Sequence, residues 1–229
     1  MRIWITRAEP GAAATAGEVR KLGHEAFVAP LLEVRPIGAG PVDLAGVGAL
    51  AFTSANGVRA FAGRMPAPDL PVFAVGAATA RAARAAGFAQ VTAADGGVAA
   101  LVAAILRHRG TLVGAVLQPG ATELAGDLAG ALQAGGVAAR TLPLYETRAR
   151  ALTPAELAQV PRLDVALVHS AKGAAALAAA LAAHPAPQLR VAGLSAAALR
   201  PLAATPLAAR QIAARPSEAA LLDLLGPAA

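Results

Sequence analysis

A six-residue segment, Phe52-Thr53-Ser54-Ala55-Asn56-Gly57, returns 116 positions later as Val168-His169-Ser170-Ala171-Lys172-Gly173, and its neighbours return in the same order. Pro10-Gly11 matches Pro119-Gly120, Leu22-Gly23 matches Ala134-Gly135, and Pro30-Leu31-Leu32-Glu33 matches Pro143-Leu144-Tyr145-Glu146. Arg81 matches Arg200, and Val91-Thr92-Ala93-Ala94 matches Ile212-Ala213-Ala214-Arg215. The offset climbs from 109 through 112, 113, 116 and 119 to 121, which is how a duplicated unit looks after small loop insertions. Alanine matches carry no weight in so alanine-rich a chain; the Pro, Gly, Ser, Arg and β-branched positions carry the repeat. A chain of 229 residues then reads as two copies of about 115 residues, each of ordinary domain size.

Within each copy, short β-rich runs alternate with amphipathic stretches of helical length. Strands are expected at Ile3–Thr6, Ala26–Pro30, Ala49–Thr53, Val72–Val75, Gln90–Thr92, Leu112–Leu117, Val137–Leu142, Val165–His169, Arg190–Leu194 and Gln211–Ala214. Nearly all are apolar without alternation, the mark of parallel strands covered on both faces, so the expected class is α/β with two similar doubly wound parallel sheets. Asp95 and Ser217 are expected helix caps, and Glu218 suits the positive end of the last helix. Two segments break the rhythm: Leu31 to Ile37 and Leu144 to Arg148 are extended, charged and matched in the repeat. If both are linkers, the first lobe is residues 1–34 plus 148–229 and the second is 37–144. A plain division at residue 112, with each copy contiguous, agrees with the repeat equally well.

Composition narrows the function. The net charge is +6, and 18 of the 20 cationic side chains are Arg, with only Lys21 and Lys172 besides. Such a field favours a polyanionic partner. The Arg residues are scattered singly and aromatic residues make up only 3% of the chain, which argues against nucleic acid and leaves a polycarboxylate or phosphate ligand. There is no cysteine, so disulfides and thiolate metal sites are excluded. His24, His108, His169 and His184 lack ligand spacing, and no metal is expected. The apolar stretches are interrupted before bilayer length, and Arg2 and Arg7 bracket too short an apolar run for a signal peptide; no membrane span and a cytoplasmic setting are expected.

The polar residues with chemistry to offer lie where strands give way to helices, the place from which α/β proteins hold ligands. Thr53, Ser54 and Asn56, echoed by Ser170 and Lys172, are one such pair of junctions. Backbone N–H groups at a helix start favour an anion by roughly 0.3–1 kcal/mol, and the same Ser and Thr residues would also serve as ordinary N-caps. Gly76 and Thr79 form a further junction, with Gly76 expected to permit close backbone approach; its counterpart around Ser195 has lost both residue types. Neither a dinucleotide fingerprint nor a Walker lysine is present. Tyr145, the only tyrosine, sits in an expected linker; a phenol, ionising near pH ~10, can donate a proton but is a poor base at neutral pH. It reads equally as a packing residue. There is no nucleophile elbow with a Ser-His-Asp order and no hydrolytic carboxylate pair.

In order and spacing, Ile5-Thr6-Arg7, Pro30-Leu31-Leu32, Phe52 to Val58, Val75 to Ala80, Tyr145-Glu146-Thr147, His169-Ser170 and Arg215-Pro216-Ser217-Glu218-Ala219 resemble the uroporphyrinogen-III synthase family. The resemblance implies two α/β lobes joined by a two-stranded linker, and a lyase that closes hydroxymethylbilane into uroporphyrinogen III, with loss of water and inversion of the last pyrrole. It implies no cofactor. The expected partner is the small-molecule substrate, with hand-over from hydroxymethylbilane synthase the one protein contact suggested; a monomer is expected, without nucleic acid or membrane. Tyr145 takes the role of assisting water loss. Thr6, Arg7, Thr53, Ser54, Asn56, Gly76, Thr79, Ser170 and Lys172 become expected substrate-binding residues. The competing reading is a non-catalytic module that binds a tetrapyrrole or another polycarboxylate.

Overall fold

The structure is a computed structural model describing residues 1–124 and 126–228. Its strands are β1 (Arg2–Ile5), β2 (Glu25–Val28), β3 (Leu32–Pro36), β4 (Val47–Phe52), β5 (Val72–Val75), β6 (Val91–Ala94), β7 (Ala115–Ala121), β8 (Ala139–Ala149), β9 (Val165–Val168), β10 (Arg190–Gly193) and β11 (Ala209–Ile212). Its α-helices are α1 (Gly11–Lys21), α2 (Ala55–Ala62), α3 (Gly76–Ala85), α4 (Gly97–Arg107), α5 (Leu128–Ala134), α6 (Pro154–Leu157), α7 (Ala171–Ala183), α8 (Ala196–Leu199) and α9 (Glu218–Leu222). The chain divides into two compact units, Met1–Val34 with Arg148–Ala229, and Arg35–Thr147.

The first unit is built on a parallel sheet in the order β11-β10-β9-β1-β2. Its central strands have no polar face because both faces are covered: Ile3, Ile5, Val165 and Leu167 enter one core cluster, with Val19 of α1 and Leu221 of α9. Trp4, Ala166 and Val168 enter the other, with Leu177 and Leu181 of α7. Trp4 satisfies its indole by donating from Nε1 to Ala29 O at 2.8 Å. Burying the Ile, Val and Leu side chains stabilises by about 1.5–3 kcal/mol each, which is why a period-two pattern is missing from these strands.

The second unit repeats this logic. Its sheet order is β3-β8-β7-β4-β5-β6, and the β8-β7, β7-β4, β4-β5 and β5-β6 pairs are parallel. Ala49, Ala51 and Val116 face α4 and α5, while Leu50, Phe52 and Leu117 face Val58 and Phe61 of α2. Phe52, Phe61 and Phe88 form a triad with ring centroids 5.7–5.9 Å apart. Written from one edge, β6-β5-β4-β7-β8 runs strand for strand as β11-β10-β9-β1-β2, with β3 added beside β8.

Two expectations shift, the bounds of β7 and the cap of α4. The strand expected at Leu112–Leu117 is Ala115–Ala121, because Gly114 takes φ +102° and Val113 stands 88% exposed. Pro119 is tolerated in β7 because the β4 pairing has ended by Leu50–Leu117, so its missing N–H interrupts no bond to β4. The two extended segments expected as linkers both contain strand, β3 and the end of β8, with Ile37 N–H donating to Leu144 O at 2.8 Å. Asp95 is not a cap; α4 starts from Gly96, at φ +121°, with no side-chain cap. Ser217 does cap α9, accepting from Ala220 N–H.

Gly48 is the extra residue of a bulge in β4, between the Val47–Ala115 and Ala49–Val116 pairs. A Cβ at this position would lie 2.0 Å from the Val113 carbonyl oxygen. Gly48→Ala must therefore move backbone, and should lower stability by about 1–3 kcal/mol, read as a reduced thermal unfolding midpoint. An unchanged midpoint would show that the bulge has slack.

Candidate active site

In both units a Ser follows the central strand and starts the next helix. Ser54, extended at φ −155°, ψ 152°, accepts from Gly57 N–H at 3.1 Å. Ser170, at φ −159°, ψ 158°, accepts from Gly173 N–H at 3.1 Å. Both are thus N-caps, and each stabilises its helix by about 1 kcal/mol. The surroundings separate them. α2 approaches β7 so closely that a Cβ on Gly57 would lie 2.9 Å from Pro119 O, whereas a Cβ on Gly173 would meet only Ser170 Oγ at 3.4 Å and Leu32 Cδ1 at 3.8 Å.

Ser54 also meets Tyr145, Oγ to phenol oxygen 2.9 Å, with either atom able to donate. Tyr145 is buried, at 6% exposure. It follows a register shift at which β8 has one residue more than β7 between the Gly120–Pro143 and Ala121–Tyr145 pairs, the kind of irregularity that re-aims a side chain. Thr53 and Asn56 are partly exposed beside this pair, and Asn56 Oδ1 accepts from Arg59 at 3.0 Å. Gly76 opens α3 at φ +69°, and a Cβ there would meet nothing within 4 Å. The left-handed backbone requires glycine here, and the space beside it is open.

One expected ligand residue is corrected. Thr6 is 1% exposed and donates its hydroxyl to Leu167 O at 2.7 Å, tying the end of β1 to β9, so a backbone acceptor already takes that hydroxyl. Thr79 lies on the inner face of α3 with Ala80 and Ala83, at 6% exposure.

Arg7 belongs to a cluster that the sequence reading did not assemble. Glu218, the first residue of α9, accepts from Arg7 Nη1 at 3.0 Å and His169 Nε2 at 3.0 Å on Oε2, and from Thr15 Oγ at 2.5 Å on Oε1. These donors come from the end of β1, the end of β9 and the middle of α1. Burial opposes the charge of Glu218, but the hydrogen bond and charge of His169, the Thr15 hydrogen bond and the Arg7 charge outweigh it and hold the pKa at about 2. Sequence signals existed: Thr15 is a hydroxyl in the apolar stripe Ala12, Ala16 and Val19 of α1, and Glu218 follows a Ser cap. Ser170 and Lys172 are exposed at the adjoining start of α7. Among the described residues, no group of three or more His, Asp or Glu side chains could hold a metal, and no helix is long and apolar enough to cross a membrane.

The family model described as "Uroporphyrinogen-III synthase HemD" matches residues 13–223. The chain belongs to the uroporphyrinogen-III synthase family. Members are cyclising lyases of tetrapyrrole biosynthesis. Uroporphyrinogen-III synthetase of Helicobacter pylori has a similar fold, with a TM-score of 0.66 at 18% identity over 98% of this chain and 97% of that one. A mutant uroporphyrinogen III synthase of the extreme thermophile Thermus thermophilus matches with a TM-score of 0.52 at 16% identity, over the same shares. At these identities the likeness is one of fold. No curated protein sequence matches.

For this synthase the Glu218 cluster makes a pH prediction. The carboxyl has its ordinary value of 4.5 when unfolded and about 2 when folded, so its stabilisation is complete above the first value and is lost as pH falls toward the second. Between about pH 5 and about pH 2 the thermal midpoint of the wild type should fall more steeply than that of Glu218→Gln. Glu156, lowered chiefly by its Arg150 hydrogen bonds, keeps a share of the slope in both proteins. Parallel curves would mean that the cluster carries no linked protons.

Proposed function

We propose that the chain closes hydroxymethylbilane to uroporphyrinogen III with the Ser54–Tyr145 pair as its proton donor. The 2.9 Å hydrogen bond between these residues is the observation that carries this assignment. The C–O bond of the terminal hydroxymethyl group breaks and the oxygen leaves as water, taking the donated proton. The pyrrole nitrogen lone pair stabilises the carbon left behind; the substituted α-carbon of the last ring attacks it, the bond from that α-carbon to the neighbouring bridge methylene breaks, and the methylene carbon is re-bonded to the ring's free α-carbon, which inverts the ring. The proton displaced from that ring restores the donor. Ser54, the more exposed partner, gives its proton to the departing oxygen, while the buried phenol replaces it through the same hydrogen bond. General acid assistance of this kind contributes about 10²–10⁴-fold when complete.

The rest of the catalysis is positional: the substrate is held so that one closure geometry lies nearest attack. Arg7, Thr53, Asn56, Gly76, Thr79, Ser170 and Lys172 are the proposed substrate contacts. The arginine-rich chain suits a ligand with eight carboxylates, although each exposed ion pair contributes only about 0–1 kcal/mol. We also infer that the two units are lobes joined by a two-stranded linker and descend from one duplicated unit, a reading supported by their matching strand orders. A monomeric, cytoplasmic enzyme receiving its substrate from hydroxymethylbilane synthase completes the proposal.

Supplying hydroxymethylbilane from a deaminase and separating the product isomers tests the activity. Uroporphyrinogen III is expected; uroporphyrinogen I alone, the product of spontaneous closure, would overturn it. Tyr145→Phe keeps the packed ring and removes the hydroxyl, so kcat should fall about tenfold or more while KM moves little. Equal turnover would remove Tyr145 from the mechanism.

A further inference from the structure

The guanidinium of Arg7 is held from one side only. Nη1 donates to Glu218 Oε2 at 3.0 Å and lies 3.4 Å from Thr15 Oγ. Among the described residues Nε and Nη2 make no hydrogen bond, so the edge that chelates a carboxylate with two parallel N–H groups is unused. The arginine is about one third exposed, so this edge is within reach of a ligand.

The flat face of the same group lies on Gly11, the first residue of α1. A Cβ at Gly11 would stand 2.6 Å from Nε, 2.8 Å from Cζ and 2.9 Å from Nη2. An approach along the edge would leave Cζ clearly the farthest of the three; near-equal distances mean that the glycine lies mainly under the plane. Gly11 therefore clears room for the guanidinium to lie flat without blocking the edge. Its φ is not left-handed, so the turn does not demand glycine and the space above it does.

Glu218 is a fixed anchor rather than a loose counter-ion. Its second oxygen is taken by Thr15, which is 1% exposed, and its first is shared with His169. One carboxylate divided among three donors neutralises Arg7 only in part, which leaves the guanidinium able to take a second anion.

We propose that Glu218 and Gly11 are positioning residues that present the Nε–Nη2 edge of Arg7 as a two-toothed fork for one carboxylate of the substrate. This rests on Arg7 being a substrate contact and adds to it the ligand group, the edge used and the two residues that set it. Lys could not replace Arg here, because an ammonium has neither the plane nor the fork.

Kinetics of the full-length chain with enzymatically supplied hydroxymethylbilane test the fork. Gly11→Ala pushes only the far end of a flexible side chain, so the fold should survive while KM rises about tenfold and kcat falls far less. Glu218→Gln should do the same. Arg7→Leu should raise KM at least as much, and Arg7→Leu with Glu218→Gln should be no worse than Arg7→Leu alone, since Glu218 acts through Arg7. Fluorescence titration with uroporphyrin III, the oxidised octacarboxylate, measures the fork without turnover and should show the same ranking of dissociation constants. A wild type that binds the porphyrin with this ranking yet yields only uroporphyrinogen I would sink the proposed activity and leave the fork standing. Unchanged KM and porphyrin affinity in Gly11→Ala, or additive effects in the double variant, would overturn the fork itself.

Discussion

Two-sided burial of the central strands is the constraint on which the rest depends. β1, β9, β4 and β7 each place successive apolar residues into opposite core clusters, and Gln118 of β7 is a buried polar side chain among them, its amide without a hydrogen-bond partner among the described residues. Polar function is driven to the strand ends, where helix starts present backbone N–H groups that need partners. Ser54, Ser170, Ser195 and Ser217 all meet that need. Ser54 with Tyr145 and Ser170 beside His169 follow central strands, and Ser217 directly precedes Glu218.

The units have put the same position to different use. At the end of β4, the cap is coupled to a phenol held in a packed strand, a neutral pair suited to moving a proton. At the end of β9, the neighbour of the cap is an imidazole committed to a carboxylate and, through it, to a guanidinium. One end carries hydroxyl chemistry and the other charge.

Element type and sheet class were legible because apolar runs without alternation have few physical explanations, and so were the Ser caps, whose short-range chemistry is local. What escaped depended on distance or on small backbone facts. Gly114 shortens one end of a strand, and Pro119 is harmless only because the neighbouring strand has already left. Thr6 carries a ligand-type hydroxyl, but a backbone carbonyl 161 residues away takes it. Glu218 meets partners 49, 203 and 211 residues away, and no local pattern points to such an encounter. Tyr145 was legible as a candidate by its rarity and Ser54 as a cap and a candidate ligand residue, whereas their meeting across 91 residues was not.

The first unit is assembled from two separated stretches of chain, which bears on how the chain is made. Arg35–Thr147 is contiguous and carries all its own core, so it can close as soon as it leaves the ribosome. The first unit cannot. β1 pairs with β2 on one side and β9 on the other, so Ile3, Trp4 and Ile5 stay open to water until residues beyond 165 have been synthesised. The earliest apolar strand of this protein is therefore the one that waits longest for shelter, and chaperone demand during translation should fall on the N-terminal segment rather than on the half completed last.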